Sequence, residues 1–328
     1  MKGEGDIINK QKLVAIVGPT AVGKTDISVE VAANLDGEII SADSMQVYRG
    51  MDIGTAKIQK HEMVSINGKA IPHHLLDILE PDESFSVADF QALARELIQK
   101  INERGKIPLL VGGTGLYVNA VIDPYNFTPQ ETDYDLREKL YAEGKCYGNE
   151  YLHQKLLSLD AETGKKLHPN DLRRIVRALE IYYQTGKPLS LIQKEHNCRI
   201  PYDLVMVGLY CDRDILYERI NKRVDQMIEK GLIEEVQGLL KKGYSPKLNS
   251  MQGLGYRQIA AYLTGLLTKE EAIELLKRET RRFAKRQFTW FKRDKRIKWF
   301  NIIDFSQKII YGQKITEYIS RTLGSPVE

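Results

Sequence analysis

The sequence predicts an α/β fold, a parallel β-sheet flanked by helices and interrupted by a mostly helical insertion. Three observations predict it. Residues 18–25 read Gly-Pro-Thr-Ala-Val-Gly-Lys-Thr, set between a short apolar run and a helical pattern. Strand-like apolar runs alternate with helical stretches over 1–122 and again over 202–328. Between them, 123–201 is polar and helix-favouring, with no buried strand pattern.

Each element follows in order. Leu13-Val14-Ala15-Ile16-Val17 is short, apolar and partly β-branched, as a buried parallel strand should be. After the glycine loop, Ile27, Val31 and Leu35 recur at helical spacing. Gly37 to Ser41 reads as a second strand, ending at Asp43-Ser44-Met45-Gln46. Ser84 to Gly105 carries a helix with Phe90, Leu93, Leu97 and Ile101 as its apolar stripe and Ser86 with Asp89 as a capping box. Pro108 to Val111 is a third buried strand, entering Gly112-Gly113-Thr114-Gly115. In the insertion, 135–143 and 171–183 are charged helical runs. Leu204 to Tyr210 returns to strand, followed by a helix bearing Leu216, Ile220, Val224 and Met227 on one face. A long helix from about Thr268 to Phe291 leads to a last strand, Ile297 to Ile303. Strands alternating with helices imply right-handed βαβ units. The expected domains are therefore a discontinuous core, 1–122 with 202–328, and an insertion, 123–201.

The loop at 18–25 fits G-x-x-x-x-G-K-[ST] at every fixed position, in the strand–loop–helix context that gives the motif meaning. It makes the core P-loop NTPase-like. Gly18 and Gly23 permit backbone angles and close approach that a Cβ would obstruct. The loop's N–H groups and the helix N-terminus then point at an anion, so Gly18, Pro19, Thr20, Ala21, Val22 and Gly23 are expected phosphate-binding residues. Lys24 adds a positive charge, and the Thr25 hydroxyl is the expected Mg²⁺ ligand. A polyphosphate is the expected ligand, its identity left open by the loop.

Composition narrows the class. With 42% apolar and 28% charged residues the chain has the make-up of a globular protein. No run approaches the length of a membrane span, and 1–12 lacks a signal-peptide core. Cys146, Cys198 and Cys211 are scattered, so neither a disulfide framework nor a zinc site is expected, and a reducing cytoplasm fits. Net charge is only +4. From Lys277 to Lys298, however, there are eleven Lys or Arg against two acids, interleaved with Phe283, Phe288, Trp290 and Phe291. That stretch suits either a nucleic-acid backbone or a solvated helix with its aromatics in the core. His73-His74 lacks further ligands at metal spacing and reads as structural.

In an open parallel sheet, ligands sit beyond the carboxyl ends of the strands. Those ends carry the phosphate loop, Asp43 to Gln46, and Thr114, so these residues should share one cleft. Asp43 is the candidate base or orienting carboxylate, competing with a role as a turn-forming Asp. Arg219 and Arg223 lie on one helix face, and either could stabilise a phosphate leaving group. Three classes remain open on these residues: an ATP-dependent small-molecule or nucleotide kinase, a transferase using another diphosphate, and a nucleotide-gated RNA-binding protein. Against a standard ATPase, the strand before Gly112 lacks a terminal Asp for a metal.

The motifs together resemble the bacterial tRNA dimethylallyltransferases, the adenine-N6 isopentenyltransferases of tRNA. The resemblance is carried by the 18–25 loop, Ser41-Ala42-Asp43-Ser44-Met45-Gln46-Val47-Tyr48, Met51 to Lys57, Pro72 to Asp77 and Gly112 to Tyr117. It continues through His168-Pro169-Asn170-Asp171, Arg173 to Glu180, Arg223 to Met227 and Ala284 to Trp290. The resemblance implies transfer of a dimethylallyl group from dimethylallyl diphosphate, with Mg²⁺, to N6 of the adenine 3′ to the anticodon. It implies Asp43 as general base, Thr114 as a partner of the adenine or base, and Arg223, rather than Arg219, as the residue stabilising the diphosphate. It implies that Asp43, Ser44, Met45, Gln46, Arg137, Arg173, Arg174 and Arg177 meet the tRNA anticodon stem-loop. A cytoplasmic monomer without membrane contact is the corresponding expectation.

Overall fold

The computed structural model describes residues 10–124, 133–194 and 202–324, and the expectations for the N-terminal segment and Cys198 lie outside them. The chain divides into two units, 1–122 with 201–328 and 123–200.

The first unit opens with β1 (Gln11–Val17), α1 (Lys24–Asn34), β2 (Gly37–Ser41), β3 (His73–His74), α2 (Val87–Glu103), β4 (Ile107–Gly112) and α3 (Gly115–Ile122). The second contains α4 (Tyr134–Tyr147), α5 (Asn149–Leu159), α6 (Ala161–Lys166), α7 (Leu172–Thr185) and α8 (Leu189–Lys194). The first resumes with β5 (Tyr202–Tyr210), α9 (Arg213–Glu229), α10 (Leu232–Lys241), α11 (Tyr256–Leu263), α12 (Lys269–Phe291), β6 (Ile297–Asn301) and α13 (Lys308–Thr322).

The six strands form one parallel sheet in the order β3-β2-β4-β1-β5-β6. The α/β class and the alternation behind it are as the sequence predicts. Residue alternation along β1 serves both faces: Val14 and Ile16 pack with Ile27, Val31 and Ile315, whereas Leu13, Ala15 and Val17 pack with Phe90, Ala94 and Val118. A third apolar cluster joins Val47, Tyr48 and Met51 to Val224, Val236, Ile259 and Leu276. Register sets the functional edge. Val17 lies opposite Gly112, and Ser41 opposite Val111. The loops leaving β1, β2 and β4 therefore begin at one level of the sheet.

Some local expectations shift. Ser86 caps α2 through the capping box with Asp89, but the buried stripe is Phe90, Ala94, Ile98 and Ile101, with Leu93 37% exposed. The bulk of Leu93 drew the stripe onto the helix flank, where the small Ala94 is the residue turned inward. His73 and His74 form a two-residue edge strand beside β2, too short to carry a period. Helix α13 packs on α1 and was not foreseen.

In the second unit, Leu140, Leu152, Leu156, Ile175, Val176, Ala178 and Leu179 make a separate core. No helix among the described residues is long and apolar enough to cross a membrane.

Candidate active site

The phosphate loop is held in shape by its backbone. A Cβ at Gly18 would stand 2.5 Å from the Leu209 carbonyl oxygen, so only glycine lets the loop cross the end of β5. Ala21 holds a positive φ of 63°, uncommon outside glycine and a local strain that its surroundings must support. The Lys24 ammonium lies back on its own loop, donating to the carbonyls of Gly18 (2.9 Å) and Pro19 (2.8 Å). Thr25 sits in the first turn of α1, with its side chain on the cleft.

A single cleft is lined by Thr20, Lys24, Thr25, Asp43, Gln46 and Arg223, with Phe283 and Gln287 from α12. Two cations thus face one carboxylate. Neither Lys24 nor Arg223 has a salt bridge among the described residues. Burial holds the Lys24 ammonium down, to about 7, with the Arg223 charge adding to the effect and Asp43 opposing it. Burial likewise lowers Arg223, opposed chiefly by Asp43. An anion placed here would find unneutralised positive charge, but the Thr20 N–H expected to face it is instead bonded to Gln287.

Asp43 leaves the end of β2, where it closes a turn and faces the cleft. Its Oδ1 accepts the Met45 N–H at 2.9 Å, closing an Asx turn, while the carboxylate lies on the cleft. Thr114 precedes α3 and, contrary to expectation and unlike Gly112 and Gly113, does not line the cleft; its Oγ1 accepts the Ser44 N–H at 3.4 Å. The Gln46 amide is used internally, accepting from the Ser41 hydroxyl (2.9 Å) and donating to the Thr55 carbonyl (3.4 Å). Met45 packs on the third core cluster. Arg219 is directed elsewhere: its guanidinium donates to the carbonyls of Ile302 (3.2 Å) and Ile303 (2.8 Å).

The insertion arginines divide. Arg137 and Arg177 both bind the fully buried Glu180 carboxylate, at 3.0 and 2.6 Å, and Glu180 also accepts the Asp133 N–H. Arg174 pairs with Asp171 at 2.9 Å while staying exposed. Arg173 is exposed and has no ionic partner among the described residues. The basic stretch is mixed: Phe291 is core, Phe288 packs edge-on against Trp299, Phe283 lines the cleft and Trp290 is 39% exposed. His73 and His74 bind the Ile71 carbonyl and Glu38, and no cluster of three or more metal-binding side chains occurs among the described residues.

Sequence reading missed Gln287 as part of the site. Its Oε1 accepts the Thr20 N–H at 2.8 Å, and its Nε2 donates to the Gly113 carbonyl at 2.9 Å. A signal existed: with Ala284 and Phe291 it falls on the buried face of α12, where an amide is out of place unless bonded.

Comparison with known proteins shows the family. The IPP transferase family matches residues 46–294. The tRNA dimethylallyltransferase of Symbiobacterium thermophilum is 55% identical over 293 residues, covering 89% of this chain and 90% of the relative. That of Carboxydothermus hydrogenoformans is 54% identical over 308 residues, covering 94% and 97%. The crystal structure of the full-length tRNA isopentenylpyrophosphate transferase from Bacillus halodurans superposes with a TM-score of 0.71 at 52% identity, covering 96% of this chain and 97% of that one. A eukaryotic dimethylallyltransferase acting on tRNA superposes with a TM-score of 0.82 at 29% identity, covering 97% and 81%. Matched along nearly its whole length, the chain belongs to the IPP transferase family of tRNA dimethylallyltransferases.

Proposed function

We propose that the protein transfers a dimethylallyl group from dimethylallyl diphosphate to N6 of the adenine 3′ to the anticodon of a tRNA, releasing diphosphate. The observation that carries this reading is the cleft itself, with Lys24 and Arg223 without a salt bridge among the described residues and facing the Asp43 carboxylate. A prenyl donor asks for such a division of charge. An allylic carbon ionises readily, so the main tasks are to neutralise the departing diphosphate and to align the attacking nitrogen.

Lys24, released from the Gly18 and Pro19 carbonyls, and Arg223 take up the negative charge as the C–O bond to diphosphate breaks. N6 forms the new bond to the same carbon, and its proton passes to the Asp43 carboxylate. Thr114, tied to Ser44, steadies the Asp43 turn or meets the adenine. The Thr25 hydroxyl would hold Mg²⁺ together with donor phosphate oxygens. One protein oxygen is a fitting share for a cation that keeps most of its shell as water and phosphate, and it would supply further neutralisation. To reach the cleft the adenine must leave its stack, which a single-stranded loop permits at modest cost.

The insertion is read as the tRNA-gripping unit. Arg173 and Arg174 supply phosphate contacts, Arg137 and Arg177 offer edges braced by Glu180, and Asp43 to Gln46 meet the anticodon loop. The corresponding expectation is a monomer acting in the cytoplasm. Relatives named as tRNA dimethylallyltransferases, one acting on tRNA in its crystals, support the reading. The test is mass spectrometry of an adenine-containing anticodon stem-loop incubated with protein, Mg²⁺ and dimethylallyl diphosphate. A gain of one dimethylallyl group at adenine is expected. An unmodified stem-loop, with phosphate transfer from ATP to a small molecule instead, would sink it.

A further inference from the structure

We infer that Gln287 is a positioning residue that couples the phosphate loop to the acceptor side of the cleft, an inference that rests on the prenyl-transfer reading for its kinetic consequence. Its one amide joins two loops that leave different strands. Thr20 belongs to the loop after β1, and Gly113 to the turn after β4, each bonded to opposite ends of the same side chain. The next residue, Thr114, accepts the Ser44 N–H, and Ser44 adjoins Asp43. A chain of contacts therefore runs from the anion-binding loop through Gln287 to the carboxylate that faces it.

Only glutamine fits this place. The Thr20 N–H needs an acceptor and the Gly113 carbonyl needs a donor, so a carboxylate satisfies one end and a thioether neither. Gln287 is 7% exposed, which leaves little room for water to replace either bond. Its space is also reserved: a Cβ on Gly113 would stand 2.2 Å from Nε2. The bond to Thr20 further removes that N–H from the donors offered to an anion and fixes the curvature of the loop before Ala21. Displacing either loop moves leaving group and base relative to each other, and errors of about 1 Å in such geometry cost roughly a hundredfold in rate.

The test uses Gln287→Met, which keeps volume and loses both bonds, and Gly113→Ala, which pushes the amide aside without altering α12. Gln287→Glu, which keeps the bond to Thr20, replaces the methionine variant should that fail to fold. Two quantities are measured: kcat per folded enzyme at saturating substrates, and the factor by which inorganic diphosphate changes affinity for the anticodon stem-loop. Both variants are expected to lower kcat roughly tenfold to a hundredfold. They are expected to bring the diphosphate factor close to one, and the double variant should be no worse than either single. Loss of melting temperature alone, with kcat within twofold and the diphosphate factor unchanged, would overturn the inference, as would additive effects. If the unaltered protein fails to prenylate RNA, the prenyl-transfer reading falls, and the diphosphate factor still decides the role of Gln287.

Discussion

Positive charge is handled in opposite ways at two places, the cleft of the first unit and the Glu180 cluster of the second. In the cleft of the first, Lys24 and Arg223 have no salt bridge among the described residues, and burial lowers both. In the second, Arg137 and Arg177 share the buried Glu180 carboxylate. A cation kept without its counter-ion in a cleft costs stability and is poised for an external anion. A cation already paired with a buried acid contributes to holding helices together. Arginine therefore plays different parts in the cleft and at Glu180.

The largest effect is expected at the one carboxylate facing the cleft cations. Asp43→Asn keeps an oxygen for the Met45 N–H, so the turn survives while proton acceptance is lost. Single-turnover prenyl transfer should fall roughly 10²–10⁴-fold with the melting temperature unmoved. A variant that retains most of its rate would leave Asp43 as a turn residue only. Next comes Arg223→Ala, with an expected loss of roughly 10²–10³-fold in kcat as charge on the leaving group goes unmet. Arg219→Ala should spare that rate, since its guanidinium serves the carbonyls after β6. Equal losses from the two would erase the distinction drawn between them.

In the second unit the acid is the sensitive position. Glu180→Ala removes the partner of two arginines and the acceptor of the Asp133 N–H. Thermal or denaturant unfolding should show a loss of about 3 kcal/mol, the low end for a broken buried pair because both arginines keep contact with water. Arg173→Ala should leave unfolding unchanged. Instead it should flatten the slope of log RNA affinity against log salt by about one. The reverse pattern, stability lost with Arg173 and salt slope unmoved, would show that Arg173 holds the unit together rather than meeting RNA phosphates.

How much of this was legible in the sequence depends on distance along the chain. The phosphate loop and the strand ends bearing Asp43 and Thr114 were readable because each is a local pattern of about eight residues within a βαβ frame. The choice of Arg223 over Arg219 came from resemblance, and only tertiary structure supplies the reason, two carbonyls beyond β6 that occupy Arg219. Glu180 looked like one more acid on a charged helix, since its partner Arg137 lies 43 residues away. Gln287 lies in a motif of local residues, but its partners lie 267 and 174 residues away and no local period announces them. The edge strand His73–His74 carries no pattern of its own and is defined only by the β2 backbone beside it.

The smallest effect is a proton. Without ligand the Lys24 ammonium is held down to about 7 by burial and by Arg223, so at pH 8 it is mostly neutral. A bound diphosphate brings negative charge against it and favours the protonated form, so binding must draw a proton from solution. Uptake should therefore be larger at pH 8 than at pH 6, where Lys24 is already charged. Calorimetry of inorganic diphosphate binding in buffers of differing ionisation enthalpy reads this uptake directly. Lys24→Arg stays charged at both pH values and should show none of that difference, which separates the lysine from protons exchanged by the ligand itself. Equal uptake by the two proteins would mean that Lys24 enters the encounter fully charged, already paired in a way its loop carbonyls do not account for, and the contrast with the insertion arginines would narrow to Arg223 alone.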